Sequence, residues 1–368
     1  MPRVNRLNFS VLVSQQIQQY RTETLISGTR ISVKDAQIAG TKGQNVISSK
    51  DNFGEVFDEV VSRFSVMKDS NGLGVNVYSI MATTSKGETF EHYFRGKGSL
   101  RELRSLSKPV VGLALGIAME KGLIIGNERL TLETLVWPYL KRLVNLTNRA
   151  NLPRLENLKL KHLLTHTIGQ AKGLMFSKDI ANIPPGELLD YILNSDLISE
   201  PGKLFVYSNA GPFLISAIIQ EELGINLSAL ISDILFRPME IEKFEWKNYG
   251  KYCAGSTGLK LYHEDLQKIA RLFLEDGKYD YERIVPKHWI DEMRSPQVRL
   301  QVPKDRPTVL RKNSYGYYLW IGDDGTYFAD GTNGQYLILP SNRRVAITVL
   351  SNQADTRSIT KCMEPFLL

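Results

Sequence analysis

Hydrophobic positions along the chain fall into three regimes. From Asn52 to Lys68, Phe53, Val56, Phe57, Val60, Val61 and Phe64 recur at helical spacing and predict an amphipathic helix. A β-rich run then covers Gly74–Met81, turns at Ser85-Lys86-Gly87 and returns over Thr89–Phe94. The most apolar helical run of the chain, Pro109 to Met119, follows and ends at Gly122, a residue suited to a helix C-cap.

For about 160 residues the pattern is then helical. Leu132–Tyr139, Leu158–Leu164, Glu187–Leu193, Gly211–Leu223 and Asp265–Leu274 carry spaced apolar positions with polar faces. Strand alternation comes back at Tyr315–Ile321, Thr326–Ala329, Gln335–Leu339 and Val345–Leu350. The breaks between these runs are Asp323-Asp324-Gly325, Gly331–Gly334 and Ser341-Asn342-Arg343, all hairpin chemistry. Strands at both ends with helices between them predict an α+β fold: one antiparallel sheet built from both chain termini and flanked by helices, with an inserted all-helical lobe. The expected division is an N-terminal arm over 1–50, a sheet domain over 51–128 and 290–368, and a helical domain over 129–289. A functional cleft is expected between the last two.

Composition narrows the function. With 46 basic and 39 acidic residues the net charge is +7, too modest to argue for nucleic acid. The densest basic stretch, Arg299 to Lys312, has no aromatic interleaving for base stacking and reads as a solvated loop. Two cysteines, Cys253 and Cys362, offer neither a disulfide framework nor metal-ligand spacing. The apolar run Pro109–Met119 is too short to span a bilayer, and the charged start Met1–Arg6 is followed by no apolar signal core. A cytoplasmic protein is expected, with no membrane partner, no metal and no cofactor.

The chemistry sits at Ser105-Leu-Ser-Lys108, directly before the apolar helix. Positions i and i+3 share a helix face, so hydroxyl and amine would meet side by side. A neutral lysine can take the serine proton. The positive end of the helix and desolvation against Val110, Val111 and Leu113 both favour that neutral form. The backbone N–H of Ser105 would point where an oxyanion forms. The motif alone is weak, since a second copy, Ser65-Val-Met-Lys68, runs into the turn cluster Asp69–Gly72 and reads as a surface helix end. A third candidate lies in Pro201-Gly-Lys-Leu-Phe-Val-Tyr207-Ser-Asn209. There Tyr207 could shuttle a proton if a neighbouring cation lowers its pKa, and Asn209 could accept from Lys108 while donating to a substrate carbonyl. His166 reads as a histidine satisfying backbone groups at a helix end. Trp289, Trp320, Tyr317 and Tyr318 read as core and cleft wall. The Pro-containing stretch Ser295–Ser314 is long enough for a lid.

Together these segments resemble the serine β-lactamase and penicillin-binding-protein superfamily, in particular its class C-like esterases and D-aminopeptidases. Leu103–Lys108 with Gly112–Gly122 looks like the nucleophile helix, Leu163-Leu-Thr-His-Thr167 like the LLTHTSG signature, and Pro201–Asn209 like PGxxFxYSN. Phe236-Arg-Pro-Met239 and Cys253–Gly277 agree with two further blocks, so the resemblance spans roughly residues 52–368. It implies Ser105 as acylated nucleophile, Lys108 as proton acceptor or charge stabiliser, Tyr207 as handler of the leaving-group proton and Asn209 as a substrate-orienting residue. Which of Lys108 and Tyr207 is the resting base stays open, because a close pair titrates as a unit. The third family motif departs from pattern. It reads Ala329-Asp330-Gly331-Thr332, with Gly331 allowing close approach and the Thr332 N–H as the second oxyanion donor, but with no cation at Ala329. That favours a small-molecule ester or amide lacking a free carboxylate. The expected function is a serine hydrolase working through a Ser105 acyl-enzyme. The alternatives are an acyltransferase on the same site, a D-amino-acid peptidase or β-lactamase, and a catalytically silent binding member.

Overall fold

A computed structural model describes residues 53–301, 309–342 and 344–367. The chain divides into two units, residues 1–55 and 56–368, and the fold described is that of the second. The expected N-terminal arm, residues 302–308 of the Arg299–Lys312 loop and Arg343 of the last predicted turn lie outside the described residues.

The main sheet is antiparallel and has eight strands. In chain order these are β1 (Val77–Thr84), β2 (Thr89–Tyr93), β3 (Val298–Arg299), β4 (Ser314–Tyr315), β5 (Trp320–Ile321), β6 (Tyr327–Gly331), β7 (Gln335–Leu339) and β8 (Val345–Ser351). Their spatial order is β3-β4-β5-β6-β7-β8-β1-β2, so the first strand of the chain pairs with the last, Ile80 opposite Val349. Every residue of β7 and β8 is buried, which requires cover on both faces and accounts for their continuous apolar runs.

The predicted single strand Tyr315–Ile321 is instead the two-strand hairpin β4–β5. Tyr318 adopts φ +61°, and the Gly316 N–H bonds the Leu319 carbonyl at 2.8 Å, closing a turn within an apolar run. Apolar turn residues hide the break, because Tyr317 and Tyr318 are themselves buried. The helical span also carries ribbons of two or three residues, among them Glu245–Trp246 and Leu259–Leu261, which with Arg101–Glu102 form a small three-stranded sheet. Strands this short show no alternation to read.

Helix α1 (Phe53–Val66) buries Phe57, Val60 and Phe64 along one stripe. At its end the second Ser-x-x-Lys copy is exposed, with the Ser65 hydroxyl bonding back to the Val61 carbonyl. Helix α2 (Ser107–Glu120) is buried on all sides from Ser107 to Ala118. Gly122, at φ +69°, ends it in a Schellman arrangement: its N–H bonds the Met119 carbonyl and that of Leu123 the Ala118 carbonyl.

Helix α3 (Ala210–Leu223) is almost as fully buried. Helix α4 (His263–Leu274) is amphipathic and lies on the sheet, where His263 bonds Ser79 and Thr348 and Gln267 bonds Thr83. Among the described residues no single helix is long and apolar enough to cross a membrane.

Helix α5 (Lys287–Met293) docks on α2 through Trp289, whose indole N–H donates to the Gly112 carbonyl at 2.9 Å. The indole fills the space where a side chain at 116 would stand, since a Cβ there would lie 1.9 Å from Trp289 Cδ1. Gly116→Ala should therefore destabilise the fold by about 3 kcal/mol, overriding alanine's better helix propensity. The expected drop in Tm is about 6–12 °C for a chain of this size. Combining it with Trp289→Leu should restore part of the loss; a Gly116→Ala protein with parental Tm would refute this packing.

Candidate active site

Ser105 stands in a 3-10 turn, Arg104–Leu106, that leads into α2. The small three-stranded sheet anchors this turn, with the Leu103 N–H on the Leu259 carbonyl at 2.8 Å. Arg104, just before the serine, adopts φ +54°, an uncommon conformation for a residue with a Cβ and one found at constrained functional turns. One helical turn on, Lys108 is only 1% exposed. Its Nζ lies 3.0 Å from Ser105 Oγ, 2.8 Å from Asn209 Oδ1 and 3.4 Å from the Ser256 carbonyl. The last contact depends on Gly255, whose φ of +65° turns the chain against α3; a Cβ at that position would lie 2.7 Å from the Pro212 carbonyl.

Burial is the larger influence on the Lys108 amine and pulls its pKa down to about 7, while the Asp330 carboxylate opposes the shift. A neutral amine has two N–H bonds and one lone pair. Asn209 Oδ1 and the Ser256 carbonyl can take both hydrogens, leaving the lone pair for Ser105.

Asn209 caps α3 and lies 8% exposed. Its Nδ2 donates to the Met175 carbonyl at 3.1 Å, which leaves one N–H for another acceptor. Tyr207 hydrogen-bonds the Ser105 side chain, and its ring centroid is 4.7 Å from Lys108 Nζ. The condition set for Tyr207 in the sequence is reversed here. Burial first and Asp330 second raise its pKa above the usual phenol value, and only the Ser105 bond opposes them. Tyr207 is thus a protonated phenol at neutral pH.

Gly331 ends β6 close against the nucleophile turn, where a Cβ would lie 2.9 Å from the Leu103 carbonyl and 3.0 Å from Arg104 Cβ. The next residue, Thr332, is exposed. Ala329 is buried, and the side chain that acts on the site electrostatically is its neighbour Asp330. Asp330 accepts the Trp320 indole N–H at 2.8 Å and pairs with Lys312 at 2.7 Å, while Trp320 stacks on Tyr207 at 5.5 Å and 17°.

His166 differs from the expectation of a helix-end residue bonded to backbone. It has φ +56°, and its ring is buried 4.6 Å from that of Tyr207, with Nε2 3.1 Å from the Tyr315 hydroxyl and Nδ1 without a partner. Burial, and then the Lys108 charge, hold it well below the ordinary imidazole pKa, so it packs as a neutral ring under Tyr207. Trp320 and Tyr315 complete the aromatic wall, their rings 4.6 Å apart.

The sequence model of the Beta-lactamase family matches residues 94–361, nearly three quarters of the chain. Penicillin-binding protein 4* of Bacillus subtilis (strain 168) is 28% identical over 146 residues, a match spanning 38% of this chain and 29% of that protein. The octameric penicillin-binding protein homologue from Pyrococcus abyssi superposes with TM-score 0.62 at 17% identity, covering 86% of this chain and 78% of that one. EstCE1, described as a hydrolase with promiscuous acyltransferase activity, superposes with TM-score 0.62 at 14% identity, covering 85% and 98%. At these identities the structural likenesses speak to fold alone.

Proposed function

The chain belongs to the beta-lactamase family, and from that premise we propose that it is a serine hydrolase cleaving an ester or small amide through an acyl-enzyme on Ser105. One observation carries the reading: a buried lysine with a pKa near 7 lies 3.0 Å from the serine hydroxyl, its other directions occupied by two carbonyl acceptors. Lys108 accepts the Ser105 proton as Oγ attacks the substrate carbonyl. The N–H groups of Ser105 and Thr332 hold the oxyanion, with Gly331 permitting the close approach. The Tyr207 phenol, held protonated, gives its proton to the departing oxygen or nitrogen and is restored from Lys108. Water repeats the sequence, forming the acid and freeing Ser105.

Acyl transfer to an alcohol or amine is the second reading. It needs the same residues, and EstCE1, which shares the fold, is described as having such an activity. Penicillin-type substrates fit less well, because position 329, where the resemblance leads one to expect a cation, holds a buried alanine. The substrate is a small molecule, and a cytosolic location is retained from the sequence, supported by two buried unpaired cysteines, Cys253 and Cys362.

A panel of p-nitrophenyl esters, D-amino-acid amides and a chromogenic cephalosporin tests the reading. Ester turnover is expected, with methanol or an amine diverting part of the acyl group if transfer competes. Turnover of the cephalosporin alone would overturn it. Asp330→Asn offers a finer test. Because Asp330 raises the Lys108 pKa, its loss should move the rising limb of kcat/KM to lower pH. A limb that stays or moves up would contradict the charge coupling.

A further inference from the structure

Asp330 lies on β6, and both of its carboxylate oxygens are engaged. Oδ1 accepts the Trp320 indole N–H at 2.8 Å, and Oδ2 takes the Lys312 ammonium at 2.7 Å. Trp320 belongs to β5, whereas Lys312 precedes β4, so the ion pair joins chain segments on either side of β5. The lysine is fixed at both ends. Next to it in the chain the Asn313 N–H bonds the Ile321 carbonyl at 3.1 Å, and its Nζ also stands 4.2 Å from the Trp320 ring centroid.

This arrangement leads directly to the reacting groups. The Trp320 ring stacks on Tyr207 at 5.5 Å and 17°, and Tyr207 hydrogen-bonds the Ser105 side chain. The titratable groups that Asp330 acts on are Lys108 and the phenols of Tyr207, Tyr315 and Tyr336. Burial keeps all three phenols protonated at neutral pH. The carboxylate is therefore shared between two amines, Lys312 in contact and Lys108 at a distance. His166, on which the Lys108 charge acts, is held neutral by its own burial. Both members of the ion pair are half-buried, so solvent and salt screen them less than a surface pair.

We propose that Lys312 is a positioning residue of this active site: its ammonium is the countercharge of Asp330, and with the Trp320 N–H it holds that carboxylate in place beside the Tyr207 stack. Lys312 gives no proton in the reaction and acts through Asp330. When the lysine is removed, the Trp320 bond keeps the carboxylate where it is, and its charge falls undiminished on Lys108. Lys108 then stays protonated to higher pH, and less of the base is free at neutral pH. For its effect on turnover the inference rests on the acyl-enzyme reading; the charge coupling itself does not.

Lys312→Met and Lys312→Arg test it through the protonation of Lys108, followed by NMR on protein carrying isotope-labelled lysine. The Lys108 side-chain resonance is the one absent from Lys108→Met, and its titration midpoint is read without any turnover. The midpoint should move up by about half a pH unit in Lys312→Met and stay near the parent's in Lys312→Arg. The rising limb of kcat/KM should move with it, opposite in direction to the shift expected for Asp330→Asn. A role confined to stability would lower Tm and leave midpoint and limb where they were. A midpoint that stays or falls in Lys312→Met, or that moves equally in Lys312→Arg, would overturn the proposal. A midpoint that moves as expected in a protein without turnover would uphold it and defeat the acyl-enzyme reading instead.

Discussion

Replacing Lys108 by methionine is expected to lower kcat/KM on p-nitrophenyl esters by about 10³- to 10⁴-fold, the upper range for removing an acid–base group. The substitution keeps the length of a side chain that is 1% exposed, so Tm should stay within about 3 °C and the loss is chemical. The pH profile supplies the sign. Lys108 works as a base only when neutral, and burial brings its pKa down to about 7. In the parent, kcat/KM should therefore rise as pH increases through about 7, whereas an ordinary lysine would place that limb near 10.5. In Lys108→Met the limb should disappear along with the rate. A methionine variant that keeps the activity and the limb would remove Lys108 from the mechanism.

Tyr207→Phe should show a loss that depends on the leaving group. Burial and Asp330 keep the phenol protonated, so its use is as a proton donor to the departing atom. An amide nitrogen cannot leave without that proton, whereas p-nitrophenolate leaves as the anion. Amide turnover should fall by about 10³-fold and p-nitrophenyl ester turnover by about tenfold. Phenylalanine preserves the ring that stacks on Trp320 and packs on His166, so the comparison isolates the hydroxyl. Equal losses on both substrates would mean that Tyr207 orients Ser105 and transfers no proton.

What the sequence revealed follows how local each signal is. Ser105 and Lys108 are three residues apart ahead of an apolar run, and Tyr207 and Asn209 lie within one short segment, so pattern and spacing brought each pair into view. The antiparallel sheet was legible for the same reason, because β6 to β8 alternate or run apolar between turn residues. The groups that tune the site come from far along the chain. Asp330 acts on Lys108 across more than two hundred residues, and the Ser256 carbonyl comes from a turn whose only trace is a glycine pair. Backbone carbonyls carry no letter in the sequence. His166 looked like a helix-end residue, and its neutral packing under Tyr207 depends on Tyr315 and Tyr318 arriving from the opposite end of the chain. In the third motif attention falls on the missing cation at 329, yet the strand buries Ala329 and the electrostatic influence on Lys108 comes from position 330.

Covalent trapping tests the central claim most directly. The protein is treated with a fluorophosphonate, digested, and the adduct located by mass spectrometry. The account predicts a single modified site at Ser105, absent in Ser105→Ala and formed far more slowly in Lys108→Met. Failure to label Ser105, or labelling of Ser105→Ala as complete as the parent's, would contradict it.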